Sequence, residues 1–473
     1  MKDNLIFKYI GKVLIGFSLL LVCPLLVSFI YKENHLAFII PLIISLIFGL
    51  ALNSLKVKSK NLYAKDGFMI VAISWVLISI IGAFPLIIDV KIPFADALFE
   101  AVSGLTTTGA TIFDDVENLS KSILFWRSFM HFIGGMGVLA FVMAIVPLSK
   151  NDKSMHVLKA EMPGPSVAKL VPSIKKTLFY LYFIYIGLTT LELVLLMIGG
   201  LNFFDSLLIA FGTAGTGGFS VLNTSLATYS TFNKWVVTIF MFLFGVNFNI
   251  YFLILMKDIK SALKSEELKA YLLLFIISIT IIILNTYHMF ANLGEAILQT
   301  SFHVSSIMTS TGYSIGDINI YPTSCRIIIL LLMLISACAG STCGGFKISR
   351  LLIILKTIKR DILKTIHPNS VRTITFEGKT LDESTIKSTQ TFMYLYIVLI
   401  ILIMFIVSFD SIGLTLEQTI NAVFTTFANV GLCFELSSFA AFSSLSKIVL
   451  SIGMLFGRLE IFPIIVLFTN FRK

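Results

Sequence analysis

The chain has 473 residues, of which 57% are hydrophobic and 13% charged, and its mean hydropathy is +0.94. Soluble domains carry roughly 25% charged residues, so this composition excludes a water-soluble globular protein. The net charge of +10 is gathered in loops between apolar runs, which argues against nucleic acid as a partner, and the five scattered cysteines have no zinc spacing and no even count for a disulfide framework.

About ten runs are long and apolar enough to cross a bilayer as helices, which makes lipid the expected surroundings. Residues 1–60 hold two of them, near 9–31 and 37–54, and read as an accessory pair. The first is too long for a signal h-region and lacks a small-residue cleavage site, so it is kept as a span. Four repeats follow, at 61–155, 156–265, 266–388 and 389–473. Each is expected to hold an apolar span, a short amphipathic segment, a Thr/Gly loop and a returning span. The spans are expected near 67–90 and 122–148, 177–201 and 235–256, 270–290 and 326–355, and 389–410 and 446–469. The polar stretch 356–388 ends the third repeat and reads as a cytosolic hairpin or extended linker.

Basic residues cluster in alternate loops. Lys56, Lys58, Lys60 and Lys65 share one, and Lys150, Lys153, Lys159, Lys169, Lys175 and Lys176 a second. Lys257, Lys260, Lys264 and Lys269 share a third, and Lys356, Lys359, Arg360 and Lys364 a fourth. All four fall on one side of the membrane, so the positive-inside rule sets them, with both termini, in the cytoplasm. The opposite loops carry Asp114, Asp115, Glu117, Asp205, Glu295, Asp317 and Glu435. They are ordinary outer loops or an acidic mouth that concentrates cations.

The four loops read SGLTTTGAT at 103–111, GTAGTGGFS at 212–220, SSIMTSTGYS at 305–314 and TTFANVGLCF at 425–434. Their pivotal glycines are expected at Gly109, Gly217, Gly312 and Gly431, spaced 108, 95 and 119 residues apart. Backbone carbonyls replace the water shell of a dehydrated cation without adding net charge. Pointing several at one axis needs dihedrals that glycine tolerates. Thr107, Thr108, Thr216, Ser310, Thr311, Asn429 and Val430 complete the candidate filter, with the threonine before a glycine adding a hydroxyl oxygen. A half-helix entering from outside would aim its negative carboxyl end at the membrane centre.

The returning span of the third repeat is broken by SACAGSTCGGFK at 336–347. Irregular backbone at that depth must line a cavity or be buried in protein. It lies where a gate would sit, with Gly340, Ser341, Thr342, Gly344 and Gly345 in the loop and Lys347 and Arg350 closing its cytoplasmic side. Gly340 and Gly345 have P-loop spacing, but Phe346 stands where the lysine must be. Arg458, in the last span, costs roughly 2.5–3.5 kcal/mol at mid-bilayer. It is an electrostatic barrier, an anchor for the broken segment, or an arginine snorkelling to the interface. Glu192 is a second buried-charge candidate, and Arg127 with His131, four apart on one helix face, reads as structural anchoring.

These motifs, with RSFMHFIGGMGVLAF at 127–141, AEMPGP at 160–165, GVNFNIYF at 245–252, IHPNSV at 366–371 and GRLEIF at 457–462, resemble the Trk/Ktr/HKT superfamily of potassium transporters, in its TrkH-type membrane subunits. The resemblance spans essentially the whole chain. It implies an all-α integral membrane protein with four M1–pore-helix–M2 repeats about a pseudo-fourfold axis and two accessory spans. It also implies a homodimer in the cytoplasmic membrane of a bacterium and a cytosolic ring of regulatory subunits that bind NAD or ATP. No organic cofactor is expected in this chain itself, and potassium is the transported ligand. One glycine per repeat sets potassium preference in the family, and in some plant relatives a serine in the first repeat admits sodium. The intramembrane loop and Arg458 match the family's gate. The fourth loop departs: NVGLCF stands where relatives often have Asn-Ile-Gly-Pro-Gly, which is expected to loosen one side of the filter.

The expected function is potassium uptake through a gated pore. The alternatives are potassium symport with protons or sodium, using broken helices at the midplane, and a poorly selective cation pore. A membrane enzyme is excluded because no Ser/His/Asp or metal cluster is visible.

Overall fold

A chain in lipid must satisfy its backbone internally, and this one does so almost wholly with helices. The computed structural model describes residues 3–57, 64–137, 174–436, 438–459 and 461–469. Lys58, Lys60, Lys150, Lys153, Lys159, Lys169, Glu460, the AEMPGP segment and the far end of the span expected at 122–148 lie outside these residues, as do the first two repeat boundaries.

Among the described residues six helices are long and apolar enough to cross a membrane, or seven if one bent pair is a single span. The six are the accessory pair, Asn4–Tyr31 and Leu36–Asn53, and the four outer helices, Lys65–Asp89, Leu178–Ile198, Glu266–Met289 and Glu383–Val407. The inner helices account for the difference from about ten, because none of their first described segments reaches the length of a span. Their first segments are Lys121–Gly135, Thr231–Phe244, Thr323–Leu334 and Ser444–Leu459. The second turns by 92° into Phe248–Leu255. The third gives way to an irregular loop and resumes at Ile348–Ile366, and the described residues of the fourth also include the helix Ile461–Thr469. The first two inner helices end at residues that disfavour helix, Gly134–Gly135 and Gly245 with Asn247. Asn247 starts the turned segment by accepting a hydrogen bond from the Asn249 amide at 2.9 Å.

Between each outer and inner helix lies a pore helix: Phe94–Leu105, Phe203–Gly215, Leu293–Met308 and Leu416–Phe427. Asn202, Asn292 and Thr415 cap three of them, accepting from Asp205, Glu295 and Gln418 amides at 2.8, 2.8 and 3.2 Å. Asp96, Asp205, Glu295 and Glu417 stand in the four first turns, where a negative charge offsets the positive end of the helix dipole. Asp205 and Glu295, read as part of ordinary outer loops or of an acidic mouth, thus stand at helix starts.

The accessory pair packs through small residues. A Cβ on Gly11 would lie 2.7 Å from the Gly49 carbonyl, so the two helices touch backbone to backbone. The pair covers the first outer helix, whose apolar window is 67% buried. Those of the other three outer helices are 33%, 22% and 28% buried and present their apolar side chains outward, as lipid-facing helices do. All five cysteines are free, and all but Cys23 are buried.

On the side of Lys257, Lys260, Lys264 and Lys269, residues 375–380 form a hairpin with strands Thr375–Phe376 and Lys379–Thr380. Its two turn residues, Glu377 and Gly378, have φ of 51° and 72°, the left-handed pair of a tight hairpin turn.

Candidate functional site

The four pore helices end alike. The amide of Thr107 bonds the carbonyl of Gly104, and that of Thr108 the carbonyl of Ser103. The same two bonds recur at Thr216 and Gly217, at Ser310 and Thr311, and at Asn429 and Val430. This is a Schellman cap, whose first residue past the helix is left-handed and usually glycine. Here it is Thr107, Thr216, Ser310 and Asn429, with φ of 57°, 54°, 52° and 57°. A left-handed L-residue costs about 1–2 kcal/mol, so four side chains are kept at this level against strain.

Two residues further on, Gly109, Gly218, Gly312 and Gly431 have φ of 80°, 77°, 85° and 81°. The second repeat is thus shifted by one from the sequence expectation. Gly218, not Gly217, is the counterpart of Gly109, and Gly217 matches Thr108, Thr311 and Val430. Thr216 accordingly matches Thr107. The expected hydroxyl beneath the carbonyls is corrected too. The Thr108 and Thr311 hydroxyls pair with those of Thr106 and Thr309, at 2.8 Å each, within their own repeats.

A Cβ on Gly109 would stand 1.9 Å from the Gly217 carbonyl oxygen, and one on Gly218 2.0 Å from that of Thr311. One on Gly312 would stand 2.0 Å from that of Val430, and one on Gly431 2.2 Å from that of Thr108. The four contacts run in order round the repeats and close on themselves. Each glycine is needed because the neighbouring repeat's carbonyl occupies the space of its side chain.

Outside this ring, hydrogen bonds between adjacent repeats form a second belt. The Val116 amide and the Asp115 carboxylate bond the Asn223 side chain at 2.8 and 2.9 Å. The Ser314 carbonyl accepts from Leu226 at 3.1 Å, and Asn319 accepts from the Glu435 amide at 2.9 Å. The Phe439 amide bonds the Thr111 carbonyl at 2.8 Å, returning the belt to the first repeat. The altered fourth loop is tied like the third. Thr425 donates its hydroxyl to the Leu432 carbonyl at 2.7 Å, as Ser306 does to Tyr313 at 2.7 Å.

Arg127 and His131 brace the first two loops from behind. Arg127 bonds the buried Glu100 at 2.8 Å, and Glu100 also accepts from Thr111 at 3.0 Å and the Ile112 amide at 2.9 Å. The Arg127 guanidinium lies 4.1 Å from the Phe219 ring centre. His131 lies against the Gly104 carbonyl at 2.9 Å through Nδ1 and accepts from the Phe219 amide at 3.2 Å through Nε2, so Nδ1 carries the proton. Glu192 is buried beside Thr213 of the second pore helix.

Beneath the ring lies the irregular loop of the third inner helix. Ser336 and Phe346 join its limbs by a 2.9 Å bond. The Gly344 amide donates to the Ser310 hydroxyl at 3.0 Å, and a Cβ on Gly344 would come within 2.7 Å of Asn429. Thr342 reaches the Phe244 carbonyl at 3.4 Å. Arg458 donates to the Thr342 carbonyl from one nitrogen and to the Gly134 and Gly135 carbonyls from another. These contacts make it an anchor for the loop, and the snorkelling alternative is set aside. Gly340, Ser341, Gly135 and Arg458 line a cavity of about 50 Å³. Lys347 is buried and folds back to the Cys343 and Gly344 carbonyls, whereas Arg350 stacks 3.9 Å from the Phe392 ring centre. Lys347 thus charges the loop itself, and Arg350 secures the helix that follows.

Sequence reasoning missed two residues. Glu100 is one. The other is Glu267, whose Oε1 accepts from the Ala339 amide at 2.7 Å and the Ser349 amide at 3.1 Å, holding both ends of the loop. Both are carboxylates at 4% exposure or less in otherwise apolar surroundings, and that placement is the signal that could have found them.

Residues 34–472 match a family model described as TrkH, cation transport protein. The chain is 33% identical over 468 residues to the Trk system potassium uptake protein TrkG of Escherichia coli strain K12, covering 96% of this chain and 95% of that protein. It is 30% identical over 484 residues to the Trk system potassium uptake protein TrkH of Halomonas elongata, covering 99% of each. The crystal structure of the potassium transporter TrkH from Vibrio parahaemolyticus superposes with a TM-score of 0.88 at 28% identity, covering 100% of this chain and 99% of that one.

Proposed function

The chain belongs to the TrkH family of cation transport proteins, and from that premise we propose that it takes up potassium through a pore gated by its intramembrane loop. The observation that carries this reading is the closed ring of glycine–carbonyl contacts among Gly109, Gly218, Gly312 and Gly431. A ring built this way turns backbone carbonyls inward as ligands for a dehydrated cation. The carbonyls of Thr108, Gly217, Thr311 and Val430 are its members, with Thr107, Thr216, Ser310 and Asn429 beneath them. Pore helices ending at the ring add the negative ends of four dipoles. An inside-negative potential supplies about 2.3 kcal/mol per charge per 100 mV, enough to drive entry without nucleotide hydrolysis by this chain.

The gate in this reading is the loop with Gly340, Ser341, Thr342, Gly344, Gly345 and Lys347, pinned by Arg458. Two cations, Lys347 buried and Arg458 half-buried, and a folded segment directly under the filter oppose passage by charge and by bulk. The protein is a multi-pass membrane protein. Its setting in a bacterial cytoplasmic membrane with both termini inside is supported by the exposed lysines of the loops around 257–269 and 356–364. The relatives are named components of a Trk system, which supports work with other subunits. A homodimer and a cytosolic ring binding NAD or ATP complete the proposal.

The test is the reversal potential of the purified chain in liposomes under opposed potassium and sodium gradients, with and without a pH gradient. A value near that of potassium and unmoved by pH is expected. A value midway between the two ions refutes a selective filter, and a pH-dependent shift replaces the pore by a proton symporter.

A further inference from the structure

The loop beneath the filter is fastened at one more place, and that fastening leads to the cytoplasmic surface. Glu267 stands at the start of the third outer helix, Glu266–Thr286, and is buried. A single oxygen of its carboxylate takes the amides of Ala339 and Ser349, one on each side of the loop. Bonds of this kind, between a carboxylate and backbone N–H groups, are about twice as strong as neutral ones. The backbone of Glu267 is itself held from the cytoplasmic side. Glu377, at the tip of the exposed hairpin, accepts from the Glu267 amide at 3.1 Å and the Ser265 hydroxyl at 2.8 Å. It does so from a left-handed conformation, φ 51°, which asparagine or glycine would adopt at less cost. Lys356 adds a second tie, joining the neighbouring Glu266 carboxylate and the Thr375 carbonyl.

We propose that Glu267 is a positioning residue that holds the intramembrane loop in place, and that the hairpin at 375–380, through Glu377, sets the position of Glu267. A load on the exposed hairpin then reaches the loop along one line of hydrogen bonds: Glu377, Glu267, and the Ala339 and Ser349 amides. The proposal rests on the loop being the gate.

The experiment uses the full chain in liposomes and reads two quantities. One is basal potassium flux per reconstituted protein. The other is the rate of thiol labelling at Cys338 and Cys343, both buried in the loop and quantified peptide by peptide. Glu267→Ala is expected to raise both by about tenfold, since two charge-assisted bonds are lost. Glu267→Gln keeps an acceptor oxygen in place and is expected to return both to within about threefold of the parent. Glu377→Ala, on an exposed turn where it cannot unfold the chain, is expected to raise both about threefold. The double alanine variant is expected to match Glu267→Ala alone, because the two residues act in series. Multiplying effects in the double variant, or unchanged labelling in Glu377→Ala, overturns the relay. A variant lacking 339–345 separates the two readings. If it raises flux while Glu267→Ala does not, the relay fails and the gate stands. If labelling rises in the alanine variants and flux does not, the gate reading fails and takes the proposal with it.

Discussion

Replacing Gly218 by serine should cost the pore its preference for potassium, and replacing Gly217 should not do so by the same route. At Gly218 a Cβ would lie 2.0 Å from the Thr311 carbonyl oxygen, where 3.0 Å is the closest real contact. One side of the ring must therefore retreat by about 1 Å, and both atoms involved belong to backbone. The φ of 77° adds about 1–2 kcal/mol for any L-residue. Losing one carbonyl's alignment at about 1.4 kcal/mol reduces selectivity roughly tenfold. Under bi-ionic conditions that moves the reversal potential by about 59 mV toward sodium. At Gly217 the obstacle is instead the His131 ring, 2.2 Å from the added carbon. That is a side chain, so Gly217→Ser should be relieved by adding His131→Ala, while no side-chain truncation relieves Gly218→Ser. Planar-bilayer recordings of the single and double variants are the assay. Parent selectivity in Gly218→Ser alongside sodium permeation in Gly217→Ser would refute the register drawn from the backbone.

Arg458→Ala removes the donors to Thr342, Gly134 and Gly135 and should raise basal potassium leak in liposomes; lower yield with no leak would assign Arg458 to folding alone. Glu100→Ala leaves Arg127 as an unpaired buried charge and should cost about 3–5 kcal/mol, read as a fall in the melting temperature of the detergent-solubilised chain. Asn223→Ala should lower the melting temperature at neutral pH by a margin that closes in acid. The Asn223 amide holds the Asp115 carboxyl below its ordinary value of 3.8, against a small desolvation effect and with help from the Glu117 amide. A depressed carboxyl contributes stability above the unfolded value and loses it as pH falls through the lower folded one. The parent's advantage in melting temperature over the variant should therefore be full above about pH 4 and shrink as the pH falls below it. Identical acid profiles would remove Asp115 from the belt.

The repeats, their glycine loops, the broken third inner span and Arg458 were all legible, because each interrupts an apolar run with residues that membrane helices avoid. The second loop was misread because TGG offers two glycines, and pairing threonine with glycine picks the wrong one. The left-handed cap decides it, and that cap is a property of where the pore helix ends, at Gly215, not of the loop's letters. The 92° turn after Gly245 was hidden because the stretch from Trp235 to Leu255 stays apolar enough for one span despite Gly245, Asn247 and Asn249. Glu267 was invisible for a different reason. It follows Ser265 and Glu266 in what reads as a solvated helix start, and only the return of the chain at 339 and 349 buries it.

The order in which the ring closes bears on how the protein is made. The bond from Asn429 to the Thr108 hydroxyl joins residues 321 apart, and the Gly431–Thr108 contact lies beside it. At about 5–20 residues per second, the first loop waits roughly 16–64 s for its neighbour to leave the ribosome. Throughout that interval the inserted part of the chain has at most three sides of a filter and no closed ring. The ring of carbonyls is consequently a property of the whole chain, complete only when the last repeat is in place.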